Sequence, residues 1–258
     1  MLIKGKIDLS VGAVVCFVDT VGAILVVRKG LPVPGVMLAM LVVGLIIGCL
    51  MGWVIAYLNI PPWIATLAGF LSFRGLGTAI VNGQTIGIGQ CESYLALFNG
   101  SVPGFFSIAG LNGMCVVIGI AACALIIITQ VKDRATKIKK GYEAESMVSM
   151  IVKTVIAVAA IMLFAYKLAL AGGIPTVLIW VVVIVLIYSF ITSKTILGRY
   201  FYTIGDNAEA TRLSGVDTKK IMFFAYLNMA VLTAITTFIV TARFQAANST
   251  AGTNYEMD

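Results

Sequence analysis

The residues that could do chemistry in this chain are few, and they form no recognisable catalytic set. The sequence of 258 residues contains no histidine, and its five cysteines include no CxxC pair. Imidazole proton shuttles, Ser-His and Cys-His nucleophiles and structural zinc sites are therefore disfavoured. A GxxxxGKS or GxxxxGKT phosphate loop is also missing from the sequence. We predict that the chain is not an enzyme and holds no metal or cofactor, so that any ATP and Mg²⁺ would be bound by another chain.

Three charged residues interrupt long apolar stretches of the sequence: Asp19, Arg74 and Lys167. A charge inside a membrane is costly and by default indicates function. Lys167, however, lies close enough to the end of its stretch to snorkel, and Arg74 could pair with backbone carbonyls or with Asp19. We predict none of the three as a substrate ligand. They keep one alternative open, an ion-coupled secondary transporter of a small polar solute, which would need such groups near the membrane midplane.

The polar run that precedes the last apolar stretch is patterned as a short helix. Asp206 or Asn207 suits the N-cap, and Glu209 would lie in the first turn, where the helix dipole favours a carboxylate. Gly215 suits the left-handed position just after the last turn. The pattern predicts a short rigid helix within Gly205–Gly215.

Composition places the chain in a membrane. Hydrophobic residues make up 60% of the sequence and charged residues 11%, whereas about a quarter of the residues in a soluble domain are charged. Seven apolar stretches are long enough to approach the ~20 residues that cross a bilayer: Ile7–Val27, Gly35–Leu58, Trp63–Val81, Asn112–Val131, Thr154–Ala171, Thr176–Ser193 and Ile221–Thr241. We predict an all-α, polytopic transmembrane helical bundle of about seven spans, with residues 1–258 in a single transmembrane domain.

Lysines and arginines predict the orientation of these stretches. With the N-terminus in the cytoplasm, 13 of the 18 basic residues fall in segments on the cytoplasmic side, as the positive-inside rule requires. This assignment makes residues 132–153 a basic cytoplasmic loop, residues 194–220 a second cytoplasmic loop and residues 82–111 an extracytoplasmic loop. The net charge of +7 then reflects loops that can also touch anionic lipid, and no nucleic acid is needed as a partner.

Small residues and prolines predict packing and helix starts. Gly44, Gly48 and Gly52 recur every four residues on one helix face, which favours close packing against a neighbouring helix over a pore-lining role. Pro61 and Pro62 favour the start of the third apolar helix over a break within it, because proline lacks the N–H that would be unpaired there.

Polar residues near the apolar stretches are the candidates for a translocation pathway. Asp8 and Ser10 lie at the start of the first stretch, where they could cap its helix or mark a broken helix beside the pathway. The complete set of pathway candidates is Asp8, Ser10, Asn59, Thr66 and Asn228.

Five segments, in order along the chain, resemble one family of membrane proteins. Glu209-Ala210-Thr211 followed by Gly215 is close to the EAA---G signature of binding-protein-dependent ABC importers. The chain as a whole resembles the sugar permeases of the ribose/xylose/galactoside (multiple-monosaccharide) type, and its basic loop resembles the xylose branch more than the ribose branch. The matching segments are Ile7–Gly12, Pro61–Leu67 with Arg74–Leu76, Asn82–Thr85, Gly198–Gly215 and Thr250–Asp258.

The resemblance implies a membrane subunit that moves a monosaccharide, a pentose or hexose such as xylose, arabinose or galactose, across the bacterial cytoplasmic membrane. It implies three partners: a separate ABC ATPase, an extracytoplasmic sugar-binding protein and a second permease copy. Asn82, Gln84 and Thr85 would dock the binding protein. The residues expected to couple to the ATPase are Gly205, Asp206, Asn207, Glu209, Ala210, Arg212 and Gly215.

The chain also departs from the family pattern. Lys6 replaces a glycine of the first motif, Asp206 replaces the second glycine of GGN, and Thr211 replaces the second alanine of EAA. Because members of the family have membrane segments before the first motif and after the last, the resemblance also implies that this chain is truncated at both ends.

Overall fold

A computed structural model describes residues 7–102, 107–108, 111–139 and 146–255, and nearly all of its regular structure is helical. The helices are α1 (Val11–Val27), α2 (Val33–Ala56), α3 (Pro62–Ile80), α4 (Glu92–Asn99), α5 (Gly113–Lys139), α6 (Met147–Leu170), α7 (Thr176–Lys194), α8 (Ile196–Asp206), α9 (Ala208–Leu213) and α10 (Thr218–Phe244). Among the described residues there are also six two-residue strands: β1 (Ile86–Gly87), β2 (Ser101–Val102), β3 (Ser107–Ile108), β4 (Leu111–Asn112), β5 (Ile174–Pro175) and β6 (Ala246–Ala247). The strands form three antiparallel pairs, β1 with β6, β2 with β5 and β3 with β4.

Six of the described helices, α2, α3, α5, α6, α7 and α10, are long and apolar enough to cross a membrane. The predicted helical transmembrane bundle is thereby confirmed, and each of the seven predicted stretches contains a helix. The first differs from the others, because α1 has only 17 residues and begins at Val11, not at Ile7. A helix of that length spans about 25 Å, less than the ~30 Å of a hydrocarbon core.

The described residues divide into two compact units. The first unit comprises the chain up to Asn99 and from Trp180 onward. In it α1 packs against α2, α3 and α10, and α4 packs against α10. Its largest fully buried side chains include Tyr94, Phe98 and Tyr226, so the interior of this unit is filled by aromatic as well as aliphatic groups.

The second unit comprises Gly100–Ile179 and contains the pair α5 and α6. Gly119 lies against Ala165 near one end of the pair, and the Thr154 hydroxyl donates to Gln130 Oε1 (2.5 Å) near the other. The two helices are therefore antiparallel. Their outer faces expose large apolar side chains such as Leu125 and Leu163, as expected for surfaces that meet lipid.

The most extensive helix contact among the described elements joins α2 to α10, and it depends on the glycine row of α2. A Cβ on Gly48 would lie 2.6 Å from Ala230 Cβ, and one on Gly44 would lie 2.8 Å from Ala234 Cβ. Gly52 is similarly close to Phe223. The small-residue pattern was thus read correctly as a packing surface, and Pro62 begins α3 with Pro61 at its N-cap, also as predicted.

Two predicted loops are partly helical. In the basic loop predicted at 132–153, residues 132–139 continue α5 and Lys153 lies inside α6, while residues 140–145 lie outside the described part of the chain. In the loop predicted at 82–111, residues Glu92–Asn99 form helix α4, with Tyr94 and Phe98 buried on one face. The Phe98 ring stacks on Trp180 and meets the Phe238 ring at a tilted angle. Residues 103–106 and 109–110 of that loop are not among those described.

Replacing Gly48 by alanine is expected to destabilise the protein by about 1–3 kcal/mol, because the added methyl group overpacks the contact with Ala230. Gly75→Ala is the matched control, since Gly75 is also helical and a Cβ there meets nothing within 4 Å. Thermal unfolding of the detergent-solubilised protein measures the effect. Equal melting temperatures for the two variants would contradict the packing role of the α2 glycine row.

Candidate functional site

The polar run between α7 and α10 folds into two consecutive helices, α8 and α9, that share a single capping residue. Asn207 ends α8 and begins α9, with an extended backbone (φ −153°, ψ 98°) that interrupts the helix. Its side-chain Oδ1 accepts a hydrogen bond from the Ala210 backbone N–H (3.0 Å). The predicted N-cap is therefore Asn207, and Gly205 and Asp206 belong to the end of α8, not to the predicted short helix.

The six-residue helix α9 carries the predicted signature. Glu209 lies in its first turn and bonds to Arg212 across one turn (2.6 Å), with both side chains largely exposed. Such an exposed pair contributes little stability. Gly215 follows the helix in the left-handed region (φ 86°), and its N–H donates to the Arg212 carbonyl, a conformation that glycine adopts at little cost.

Thr211 is a functional candidate that sequence reasoning passed over. It was noted only as a departure from the EAA pattern, yet its hydroxyl is within hydrogen-bond reach of the carbonyls of Thr203 in α8 (3.0 Å) and Asn207 (2.8 Å). The side chain is buried. The threonine in place of the second alanine of EAA could have indicated this role, because a hydroxyl can form a hydrogen bond between two helices and an alanine methyl group cannot.

A cleft of about 630 Å³ opens between α8 and α9. Both charged and apolar groups line it. Leu213, at the end of α9, is 79% exposed. The lining residues are Ile196, Arg199, Tyr200, Thr203, Asp206, Asn207, Ala210, Thr211, Ser214 and Val216.

At the opposite end of α10 the chain turns back along α1 as a non-helical segment, residues 245–255, which we call the return segment. Gln245 adopts a left-handed conformation (φ 53°), and β6 then pairs with β1. Further along, Gly252 has φ 67°, and a Cβ there would lie 2.5 Å from the Gly12 carbonyl oxygen. The Cys16 Sγ approaches the Ser249 carbonyl (3.5 Å), so the segment runs from the middle of α1 toward its start.

A half-buried arginine and a buried aspartate bond to the return segment and its surroundings without pairing with each other. Arg74 of α3 donates through Nη1 to the Ser249 carbonyl and the Thr253 hydroxyl (both 3.0 Å). Asp19 of α1 is fully buried and accepts a hydrogen bond from the Thr241 hydroxyl of α10 (2.6 Å). Of the two partners considered for Arg74, backbone carbonyls are the ones observed. Hydrogen bonds from a charged donor to carbonyls satisfy polar backbone that would otherwise be costly to bury.

The start of α1 is buried within the first unit from Ser10 onward, with Ser10 and most of the first turns enclosed. Asp8 shares a small cavity with Tyr226, which lies eight residues after the start of α10 at Thr218. At about 1.5 Å per residue, α1 begins roughly 12 Å further along the bundle than α10. The contact of Cys16 with Gly77, far along α3, indicates a similar displacement. Of the two interpretations of Asp8 and Ser10, capping of the first turn is not observed, because Ser10 makes no side-chain cap and Asp8 Oδ1 accepts hydrogen bonds from the N–H (2.9 Å) and the hydroxyl (2.7 Å) of Ser10 itself. The buried start of α1 fits the other interpretation, a broken helix.

The other pathway candidates are not brought to this cavity. Asn59 lies exposed in the turn between α2 and α3 with φ 55°. Thr66 is buried in α3, and Asn228 of α10 accepts a hydrogen bond from Tyr188 of α7 (2.5 Å). Tyr226, which shares the cavity with Asp8, was not predicted, because a single tyrosine in an apolar helix does not by itself indicate a polar site.

The residues predicted to dock a binding protein lie together in an exposed turn. Asn82 has φ 52°, and Gln84 and Thr85 follow it on the surface. The turn ends directly in β1, where Ile86 pairs with Ala247 of the return segment. The structure thus connects this surface to the return segment through two backbone strands.

Comparison with known proteins places the chain in a family of transport permeases. It matches the family described as "Branched-chain amino acid transport system / permease component" over residues 1–106 and 93–258. The chain belongs to this family and is a multi-pass membrane protein. No solved structure matches it.

Among curated proteins, the chain is similar to the xylose transport system permease protein XylH of Haemophilus influenzae, with 29% identity over 262 residues, covering 100% of this chain and 66% of the relative. XylH of Escherichia coli K12 is 29% identical, with 63% of the relative covered. The ribose import permease protein RbsC of Haemophilus influenzae is 27% identical, with 59% of the relative covered. The chain therefore spans about two thirds of the length of the curated relatives that it matches.

Replacing Arg74 by glutamine is expected to release the return segment, because the Ser249 and Ala251 carbonyls lose a charged donor at a cost of about 1–3 kcal/mol. Arg74→Lys should restore part of the stability, since it keeps the charge but not the planar fork. Reactivity of a cysteine introduced at Ser249 measures the release, with Arg28→Gln, at an exposed arginine, as the control. Unchanged cysteine reactivity in Arg74→Gln would show that Arg74 does not hold the segment.

Proposed function

We propose that this chain is the membrane-spanning permease subunit of a binding-protein-dependent ABC importer. It moves a monosaccharide, a pentose or hexose such as xylose, arabinose or galactose, across the bacterial cytoplasmic membrane. The energy comes from ATP hydrolysed on a separate ATPase subunit, where ATP and Mg²⁺ are bound. The sugar arrives on an extracytoplasmic binding protein, and two permease copies assemble on two ATPase domains.

The observation that carries this proposal is the short helix α9. Asn207 caps its start, Gly215 terminates it, and its outer side chains Glu209, Arg212 and Leu213 are exposed. A helix of six residues is too short to bury a hydrophobic core. A capped and terminated helix of this length on the surface is therefore suited to contact another protein. The names of the similar proteins, xylose and ribose transport permeases, support the sugar as the substrate class.

The connections around α9 suit the transmission of movement. Thr211 fastens α9 to α8, and Asp217 caps α10 by accepting from the N–H groups of Lys219 and Lys220 (both 3.1 Å). Because α9 also contacts α10, a displacement of α9 by an ATPase would reach α10. Because α10 packs against both α1 and α2, the displacement reaches the buried start of α1.

Docking of a binding protein is assigned to the turn formed by Asn82, Gln84 and Thr85. Its side chains are exposed and polar, which suits a transient interface. The pairing of β1 with β6 would pass a movement of this turn to the return segment. The two protein partners would thus act on opposite ends of α10.

Transport by reconstituted vesicles tests the proposal. Proteoliposomes that contain the full-length permease, its ATPase and its binding protein are expected to take up a pentose or hexose only with ATP and the binding protein present. The alternative, ion-coupled transport, depends on the buried carboxylate of Asp19, whose Oδ2 has no hydrogen-bond partner among the described residues. Uptake that follows a proton or sodium gradient without ATP would favour that alternative and overturn the proposal.

Replacing Gly215 by valine or Glu209 by lysine is expected to weaken ATPase association and to lower the sugar taken up per ATP hydrolysed. A β-branched residue at φ 86° is strained by about 1–2 kcal/mol, and the lysine replaces the attraction to Arg212 by repulsion.

Gly30→Val is the matched control for Gly215→Val, because Gly30 also has a positive φ (61°) and open space around a Cβ. Gly30 lies just after the end of α1 and is not part of the segment around α9. Co-purification of the ATPase and the ratio of uptake to hydrolysis are the measurements. Normal assembly and normal coupling in both α9 variants would show that α9 is not the transmission element.

A further inference from the structure

A small polar cavity lies at the start of α1, enclosed by three helices of the first unit. Asp8 and Ser10 form one wall, Tyr226 and Thr233 of α10 form another, and Met51 of α2 closes it. Ser10 and Tyr226 are almost completely buried, at 3% and 2% exposure. Four polar residues, two beside the start of α1 and two in α10, therefore border the same small cavity.

The polar groups of this cavity have unused hydrogen-bonding capacity. Tyr226 OH is buried and has no hydrogen-bond partner among the residues that the structure describes. The Ser10 side chain accepts no hydrogen bond from the first turn of α1, so it leaves the first N–H groups of the helix without a side-chain cap. A buried hydroxyl without a partner is costly, which indicates that another group completes the site.

The chemistry of the wall selects a hydroxyl group. The carboxylate of Asp8 accepts hydrogen bonds, the helix N–H groups donate them, and Tyr226 OH can do either. An anion would face the Asp8 carboxylate, and an ammonium group would face the positive end of the α1 dipole. A hydroxyl both donates and accepts, so it satisfies both sides at once.

The size of the cavity limits what it holds in this conformation. Its volume is about 10 Å³, close to the least that one water molecule requires and far below that of a sugar ring. The cavity is thus a closed constriction, and a larger ligand would pass only when α10 moves away from α1.

We infer that this cavity is a hydroxyl-binding site in the translocation pathway, occupied by one water molecule when closed and by a hydroxyl of the sugar during passage. The inference rests on the proposed function for the identity of the sugar. It assigns Tyr226 and Asp8 to direct contact with the substrate. It also explains why α1 begins so deep in the bundle: the late start brings the N–H groups of its first turn to the pathway.

The test compares Tyr226→Phe with the wild type in proteoliposomes that contain the complete transport complex. The substrates are the transported sugar and its monodeoxy analogues, each lacking one hydroxyl. For the wild type, one analogue should show a kcat/KM about tenfold below that of the parent sugar, the effect of one hydrogen bond. In Tyr226→Phe the parent sugar should lose about the same factor, and that analogue should lose almost nothing more.

Asp8→Asn should change the preference among the same analogues, and Tyr166→Phe, at an exposed tyrosine of α6, should leave all rates unchanged. A uniform loss for every sugar in Tyr226→Phe would mean that the site holds only water, which overturns the assignment to the sugar. Unchanged rates in Tyr226→Phe would overturn the site altogether. Absence of sugar uptake by the wild-type complex would instead contradict the proposed function.

Discussion

The need to satisfy polar backbone groups inside an apolar bundle governs the arrangement of this protein. Within a helix the backbone N–H and C=O groups bond to each other. The backbone at the start of α1 and in the return segment is not helical, so its polar groups need other partners. Non-helical backbone is tolerated at membrane depth only where protein buries it or where it lines a polar cavity. Both conditions occur here: Arg74 donates to carbonyls of the return segment, and Asp8 with Ser10 places the start of α1 at a polar cavity.

Close packing of α2 on α10 makes the proposed transmission physically reasonable. Without side chains at Gly44 and Gly48 the two backbones approach closely, and a contact of that kind slides or separates as a unit more readily than it deforms. The exposed helix α9 lies directly before α10, and the Asp8 cavity lies eight residues into it. One rigid element therefore connects the surface assigned to the ATPase with the constriction assigned to the sugar.

Much of the candidate coupling site was predictable, because capping depends on local sequence. Asn207, Glu209 and Gly215 occupy the positions that side-chain chemistry and backbone freedom predicted for them. The extent of the helix was wrong at its start, since Asn207 also terminates α8. Thr211 was underestimated, because its partner carbonyl at Thr203 belongs to another helix, and no local rule specifies which helix will lie alongside.

The sequence by itself determined the membrane class, the positions of the seven apolar helices, the packing face of α2 and the caps of α9. These properties follow from composition, from the length of apolar stretches and from residues within one or two turns of each other. Only the tertiary structure decided that α4 packs on α10, that Arg74 binds the return segment while Asp19 binds Thr241, and that Tyr226 lines the same cavity as Asp8. Each of these contacts joins residues far apart in the chain. Their geometry depends on how far neighbouring helices are displaced along each other. Hydrophobicity alone does not determine this displacement, because an apolar helix can shift along its neighbour at little cost until specific polar groups and small residues meet.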